Sequence, residues 1–263
     1  MKFLKELKTA KEAAIAAGSF LVKNQKDFNF TKGIKIKSKT QIQTWLDLAS
    51  EKLILKRLKQ EFPKYGFLSE EAGVGGEQKN RWIVDPLDGT TNYVLGLKAY
   101  GVSIALMLEG KIVLGVINIP ETKQLFWATK SGGAYVNGKK IHASQKTNLN
   151  KAFLTFCHGS DLVDLKSAIK LYKVFKLKGL EYRQIGSAAL ELCLVACGRT
   201  EAINLPGANL YDVAAGALIV SEAGGKVTDF KNKTWPEKNG DLLASNGLLH
   251  QDLLKIIQTT LNK

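Results

Sequence analysis

Residues 81–92 read RWIVDPLDGTTN. An apolar run, Trp82-Ile83-Val84, predicts a short buried strand that ends in Asp85 and is stopped by Pro86. Asp88 follows after a turn forced by the proline, and Gly89-Thr90-Thr91-Asn92 comes next. Asp-Pro and Asp-Gly alone are ordinary turn chemistry. Here, however, a strand ending in one carboxylate turns at once into a second. Two close carboxylates repel, so one takes a proton or a cation joins them. Oxygen-only ligands select hard cations such as Mg²⁺ or Mn²⁺. The Gly-Thr-Thr-Asn segment offers backbone N–H groups where a helix could begin, which suits a phosphate oxygen. Carboxylates for metal beside amides for phosphate predict metal-assisted phosphoryl transfer to water, with paired ions about 3.5–4 Å apart.

Outward from this string, residues 2–24 carry a helical stripe of Phe3, Leu4, Leu7, Ala10, Ala14, Ile15, Ala17 and Leu21. Residues 41–61 read as a second amphipathic helix ending before Pro63, and GVGG at 73–76 reads as a tight loop. Downstream, 102–108 and 112–119 flank Glu109-Gly110 as a hairpin, followed by strands near 125–128 and 134–136. The last third alternates strands and helices. A meander followed by alternation predicts an α/β (α+β) chain of stacked helix and sheet layers. We expect two intimately packed halves: 1–150, with the antiparallel sheet, and 151–263, an α/β half.

Three further acidic positions stand at element boundaries: Glu70 within SEEAG at 69–73, Asp212 within YDVAAG at 211–216, and Asp47 within TWLD at 44–47. Singly, these read as a solvated turn, a helix cap and an exposed helix charge. Jointly they carry a resemblance. DPLDGTTNY at 85–93 is similar to the signature of the inositol monophosphatase family of metal-dependent sugar-phosphate phosphatases. YDVAAGALIVSEAGG at 211–225 resembles the second family signature, SEEAG its Glu-Glu segment, QTWLDLASE at 43–51 its Thr-x-x-Asp helix, and GSAALELCLVACGRTEA at 186–202 its Gly-Ser-Ala-Ala helix. The blocks fall in family order across nearly the whole chain.

The resemblance implies a layered α-β-α-β-α sandwich of the sugar phosphatase type. It implies two or three Mg²⁺ ions, with Mn²⁺ as a possible substitute. Glu70, Asp85 and the Leu87 carbonyl would hold one, Asp85, Asp88 and Asp212 a second, and Glu70 a weaker third. The resemblance thus implies that the half 1–150 holds most metal ligands and that 151–263 completes the site with Asp212. Thr90 with Asp47 would orient and deprotonate the attacking water, the Gly89 and Thr90 amides would hold phosphate, and Gly186, Ser187 and Ala188 would line the substrate pocket. Thr90 lacks a neighbouring His and is a poor nucleophile, so direct attack by metal-bound water is expected, with no phospho-enzyme. The expected substrate is inositol 1-phosphate or a related polyol or sugar phosphate, and a homodimer is implied. Two departures bear on substrate choice: Leu205 stands where inositol-specific members carry a Glu seven residues before the second-signature Asp, and Tyr211 replaces Trp. Fructose 1,6-bisphosphate, 3′-phosphoadenosine 5′-phosphate and histidinol phosphate are therefore alternatives.

Composition narrows the remaining classes. With 45% apolar and 24% charged residues the chain is ordinary globular material. Its net charge of +14 favours anionic partners. An RNA- or protein-binding module on a phosphatase scaffold is the alternative of another class, although the lysines are dispersed and no nucleic-acid patch stands out. Lys37 and Lys39 could steer phosphate but read more simply as solvated. Cys157, Cys193 and Cys197 make neither a disulfide framework nor a CxxC knuckle, and His142 and His250 are expected at the surface. No apolar stretch approaches a membrane span and the N-terminus lacks a signal-peptide core, so a reduced cytoplasmic protein is expected.

Overall fold

The structure, a computed structural model, describes residues 3–25, 33–36, 42–235 and 238–262; Lys37 and Lys39 lie outside the described residues. Helix α1 (Leu4–Gln25) turns Leu7, Ala10, Ala14, Ala17 and Leu21 inward on one stripe; Leu4 and Ile15, expected on it, are exposed, Leu4 at the helix start and Ile15 one residue round from Ala14. A short antiparallel ribbon, β1 (Ile34–Ile36) with β2 (Ile42–Thr44), leads into α2 (Trp45–Glu61). The helix expected from residue 41 starts only at Trp45, because Thr44 caps it. The Thr44 hydroxyl accepts from the Leu46 amide at 3.1 Å, and the Asp47 carboxylate accepts from the Thr44 amide at 2.7 Å. This capping box leaves 42–44 extended and free to pair.

Eight strands form the larger sheet: β3 (Gly66–Ser69), β4 (Gly73–Gly75), β5 (Arg81–Asp88), β6 (Gly101–Leu108), β7 (Lys111–Ile119), β8 (Gln124–Thr129), β9 (Gly133–Val136) and β10 (Lys139–Lys140), in spatial order β10-β9-β8-β7-β6-β5-β3-β4. The GVGG segment, expected as a loop, instead supplies edge strand β4, paired antiparallel to β3. A short helix, α3 (Thr90–Val94), follows β5. Both faces of the sheet's centre are covered, so β5, β6 and β7 are apolar on both sides. Trp82 and Val84 of β5 pack against α1 and α2, while Ile83 faces the opposite core; in β6, Val102, Ile104 and Leu106 go one way and Ala105 and Met107 the other.

The second sheet has five strands, β11 (Phe153–Phe156), β12 (Glu181–Arg183), β13 (Ala202–Ala208), β14 (Lys226–Thr228) and β15 (Gly240–Ser245), ordered β12-β11-β13-β15-β14. Helices α4 (Leu162–Leu177), α5 (Ala188–Ala196), α6 (Leu210–Glu222) and α7 (His250–Leu261) complete the chain. Leu192 and Val195 of α5 and Val213 and Ile219 of α6 share one core with Ile117 of the larger sheet and Ile203 of the smaller. Helices α4 and α7 cover the far face through Leu171, Phe175, Leu253 and Ile257. The layers thus run α1/α2, eight strands, α5/α6, five strands, α4/α7, which is the expected α-β-α-β-α sandwich. Gly115 makes the central contact possible, since a Cβ there would sit 2.6 Å from the Ala215 carbonyl of α6.

His250, expected at the surface, is fully buried. Its Nδ1 lies 2.8 Å from the Ser245 hydroxyl and its Nε2 2.9 Å from the Thr228 hydroxyl, so both ring nitrogens are satisfied indoors. Burial lowers its pKa to about 4. Among the described residues no helix is long and apolar enough to cross a membrane.

Candidate active site

Strand β5 does not stop at Pro86; it runs on to Asp88 through a bulge. Asp85 pairs with Ser103 and Asp88 with Gly101, three steps on one strand against two on the other. A bulge is where a strand tolerates proline, which has no N–H to offer the ladder. The extra residue also changes parity. Side chains three apart point to opposite faces of a regular strand, whereas here Asp85 and Asp88 line the same cavity of about 170 Å³, together with Glu70, Gly89, Thr90 and Asp212. The Pro86 carbonyl accepts from Ser50 Oγ at 2.8 Å, and Asp85 Oδ1 accepts from the Leu87 amide at 3.0 Å, so the bulge is pinned.

Gly89 follows at φ +87°, in the left-handed region. A Cβ there would approach the Ala99 carbonyl to 2.9 Å, so only glycine lets the chain swing from β5 into α3. That turn places the Thr90 hydroxyl 3.0 Å from Asp47 Oδ1 and 3.0 Å from the Leu87 carbonyl. One hydroxyl proton serves one of these acceptors at a time. Asp47 is fully buried on the first turn of α2, where its other oxygen also accepts from the Thr44 hydroxyl at 2.6 Å. Burial raises its pKa.

Glu70 lies in the turn after β3. Asp212 sits in the first turn of α6 and accepts from Asn209 Nδ2 at 3.1 Å. Burial, reinforced by Glu70, Asp88 and Asp212, pushes the Asp85 carboxyl well above the usual carboxylate range. Burial with Glu70 and Asp88 does the same to Asp212. Asp88 is raised to about 6 by burial, against the pull of its hydrogen bonds from Ser187 Oγ and the Ala188 and Ala189 amides. These three donors come from the start of α5, so Asp88 also ties the larger sheet to the central helices.

Among the described residues no three or more His, Cys, Asp or Glu side chains close into a metal cage as they stand. What the site offers is a multiply acidic, all-oxygen wall around one cavity, whose members raise one another's pKa. That donor chemistry fits a hard divalent cation, which relieves the repulsion. It does not fit a soft metal, because the three cysteines lie apart from this cavity.

A second cavity, of about 420 Å³, adjoins the first and shares Asp88, Thr91, Gly186 and Asp212 with it; Ala188, Leu205 and Cys157 are in its wall. Ser187 is buried, with its hydroxyl committed to Asp88 and to capping α5. Two buried glutamates that hold turns of the site have no role in the sequence analysis above. Glu51 Oε1 accepts from the Ser69 hydroxyl and, at 3.1 Å each, from the Glu71 and Ala72 amides, so it grips the turn that carries Glu70. Glu191 does likewise for the turn at 185–186. Each lies four residues after a recognised position, Asp47 or Ser187, one helical turn along the same face. That spacing is a signal that was there to be found.

Comparison with known proteins supports what the geometry suggests. The model of the inositol monophosphatase family matches residues 4–262. A protein from Xylella fastidiosa named Nus factor SuhB is 38% identical over 226 residues, 86% of this chain and 82% of that one. An inositol-1-monophosphatase from Mesorhizobium japonicum is 34% identical over 264 residues, 95% of each chain. The crystal structure of extragenic suppressor protein suhB from Bartonella henselae matches with a TM-score of 0.89 at 31% identity, covering 97% of this chain and 98% of that one. Since the match spans nearly its whole length and meets an acidic cavity on the expected fold, the chain belongs to the inositol monophosphatase family, phosphatases that act on phosphomonoesters.

Proposed function

We propose that this phosphatase is a Mg²⁺-dependent, cytoplasmic enzyme that hydrolyses inositol 1-phosphate or a related polyol or sugar phosphate by direct attack of water. The supporting observation is that Glu70, Asp85, Asp88 and Asp212, drawn from distant parts of the chain, line one cavity with Gly89 and Thr90. Glu70, Asp85 and the Leu87 carbonyl would hold one ion, Asp85, Asp88 and Asp212 a second, and Glu70 a third, with Mn²⁺ able to substitute. When bound, such cations offset phosphate charge and make water more acidic.

The chain's own groups supply the rest. Asp47 is the base; burial lifts its pKa, and the Thr90 hydroxyl at 3.0 Å relays the proton to it. The Gly89 and Thr90 amides bind phosphate oxygens. Gly186 and Ala188 form the wall against the rest of the substrate, with Ser187 holding Asp88 behind them. Thr90 has no imidazole to activate it, so it orients water and forms no ester itself. A phosphate-release panel with Mg²⁺, and with excess chelator, tests the reading. Equal hydrolysis in both conditions overturns it.

One observation favours a bulkier or doubly anionic substrate. Leu205, not a carboxylate, faces the 420 Å³ cavity. That cavity continues past His158, Gln184 and Ile185 into a groove of about 1130 Å³ bearing Lys98, Lys176 and Arg183. Preference for fructose 1,6-bisphosphate, 3′-phosphoadenosine 5′-phosphate or histidinol phosphate over inositol 1-phosphate would move the assignment there. Exposed Leu97, Ile169 and Tyr172 on the same groove suit a homodimer contact, which light scattering at micromolar concentration tests.

A further inference from the structure

Glu191 is fully buried one turn into α5 and takes no part in the chemistry above. Burying a carboxyl group is expensive unless donors surround it. Its Oε1 has three: Cys157 Sγ at 3.1 Å, the Ile185 amide at 3.0 Å and the Gly186 amide at 2.9 Å. The Thr155 hydroxyl adjoins the same carboxyl, whose Oε2 has no other donor among the described residues. Burial raises the pKa of Glu191 to about 7.

The turn it holds is gripped from both sides. Asn92 Nδ2 donates to the Ile185 carbonyl at 2.8 Å and to the Ala99 carbonyl at 2.7 Å. Gly186 stands at φ +86° in the turn between β12 and α5, where no helix or strand ladder holds its amides. Yet Gly186 lines both the 170 Å³ and the 420 Å³ cavities, and Ile185 lines the second. A wall shared by the two cavities therefore takes its place from a carboxylate oxygen behind it and an amide in front. Two successive N–H groups aimed at one oxygen keep their geometry only while that oxygen stays within reach.

We propose that Glu191 is a positioning residue for the phosphatase reaction: through two successive backbone amides on one oxygen it holds the Ile185-Gly186 turn as the wall against which the substrate's non-phosphate portion rests. The proposal rests on the phosphomonoesterase reading. What matters is the reach of the acceptor, not its charge. A glutamine at 191 keeps an oxygen at the same distance and offers an amide toward Thr155. An aspartate keeps the charge but withdraws its oxygens by about 1.5 Å, one C–C bond.

Steady-state kinetics on the best ester of the panel separate the two. E191Q is expected to keep KM within about two-fold of wild type, and E191D to raise KM by about ten-fold with kcat little changed, the pattern of binding lost equally from ground state and transition state. Native-state hydrogen exchange supplies a readout independent of turnover: the Ile185 and Gly186 amides are expected to be protected in wild type and E191Q and to exchange faster in E191D. The proposal is overturned if E191Q raises KM as much as E191D does, if both variants keep the wild-type KM, if kcat falls with KM unchanged, or if these amides exchange at solvent rates in wild type. Failure of wild type to release phosphate from any ester instead defeats the phosphomonoesterase reading and leaves the exchange result to judge the turn.

Discussion

Asp85 is where the site's electrostatics converge. Its carboxylate is buried, faces Glu70, Asp88 and Asp212, and accepts a single backbone N–H from Leu87. Asp85→Asn keeps an oxygen for that amide and removes one like charge. Turnover is expected to fall by more than about 100-fold, beyond the loss usual for an outer-sphere partner of a metal. The melting temperature of the chelator-treated variant is expected to equal or exceed that of wild type, because repulsion is relieved. Unreduced turnover would count against the site. Thr90 offers a second test. Thr90→Ala removes the hydroxyl between Asp47 and the cavity and should lower kcat by about 100-fold, the lower range for lost acid–base assistance, while Thr90→Ser retains most of it.

Helix α2 illustrates how one element serves two ends of the site. Its N-terminal turn fixes Asp47 through Thr44, and the next turn brings Glu51 onto the turn bearing Glu70. Glu51→Ala is expected to raise the Mg²⁺ concentration needed for half of the maximal thermal shift by about ten-fold, the lower range for an outer-sphere change. An unchanged Mg²⁺ titration would show that Glu70 needs no such support. Helix α7 carries a different prediction. His250 titrates near 4 in the fold, below its ordinary 6.5, through burial and then Lys226. The unfolded chain therefore takes up a proton first as pH falls. This contribution to stability is intact above pH of about 6.5 and is progressively lost toward about 4. The raised carboxylates of the site titrate with the opposite sign, so the comparison has to be made between variants. The drop in urea midpoint from pH 7.5 to pH 5 should be larger in wild type than in His250→Gln.

At the scale of the whole molecule, the acidic cavity exists only because three distant segments meet: the turn after β3, the end of β5, and the start of α6. An unfolded chain has no such site. A divalent cation that occupies it therefore stabilises the folded state by mass action, about 2.7 kcal/mol at 100 times the dissociation constant. Differential scanning fluorimetry should show a melting temperature that climbs with Mg²⁺ and returns to baseline with chelator. A melting temperature indifferent to Mg²⁺ would separate the acidic cavity from any metal role.

Local chemistry in the sequence determined much of this protein. The string at 85–92 announced a strand, a proline turn and two acids, the apolar periodicities located the helices, and the order of meander and alternation implied the layers. These are properties of neighbours along the chain. The tertiary structure alone decided what depends on a partner. The parity that turns Asp85 and Asp88 to one side comes from their register against β6. The extended 42–44 and the strand at 73–75 exist because β1 and β3 lie beside them. His250, Glu51 and Glu191 look like surface residues in a sequence and are buried, because the hydroxyls, thiol and amides that satisfy them arrive from elsewhere in the chain. A carboxylate's cost of burial is a property of its surroundings, and surroundings are assembled only by the fold.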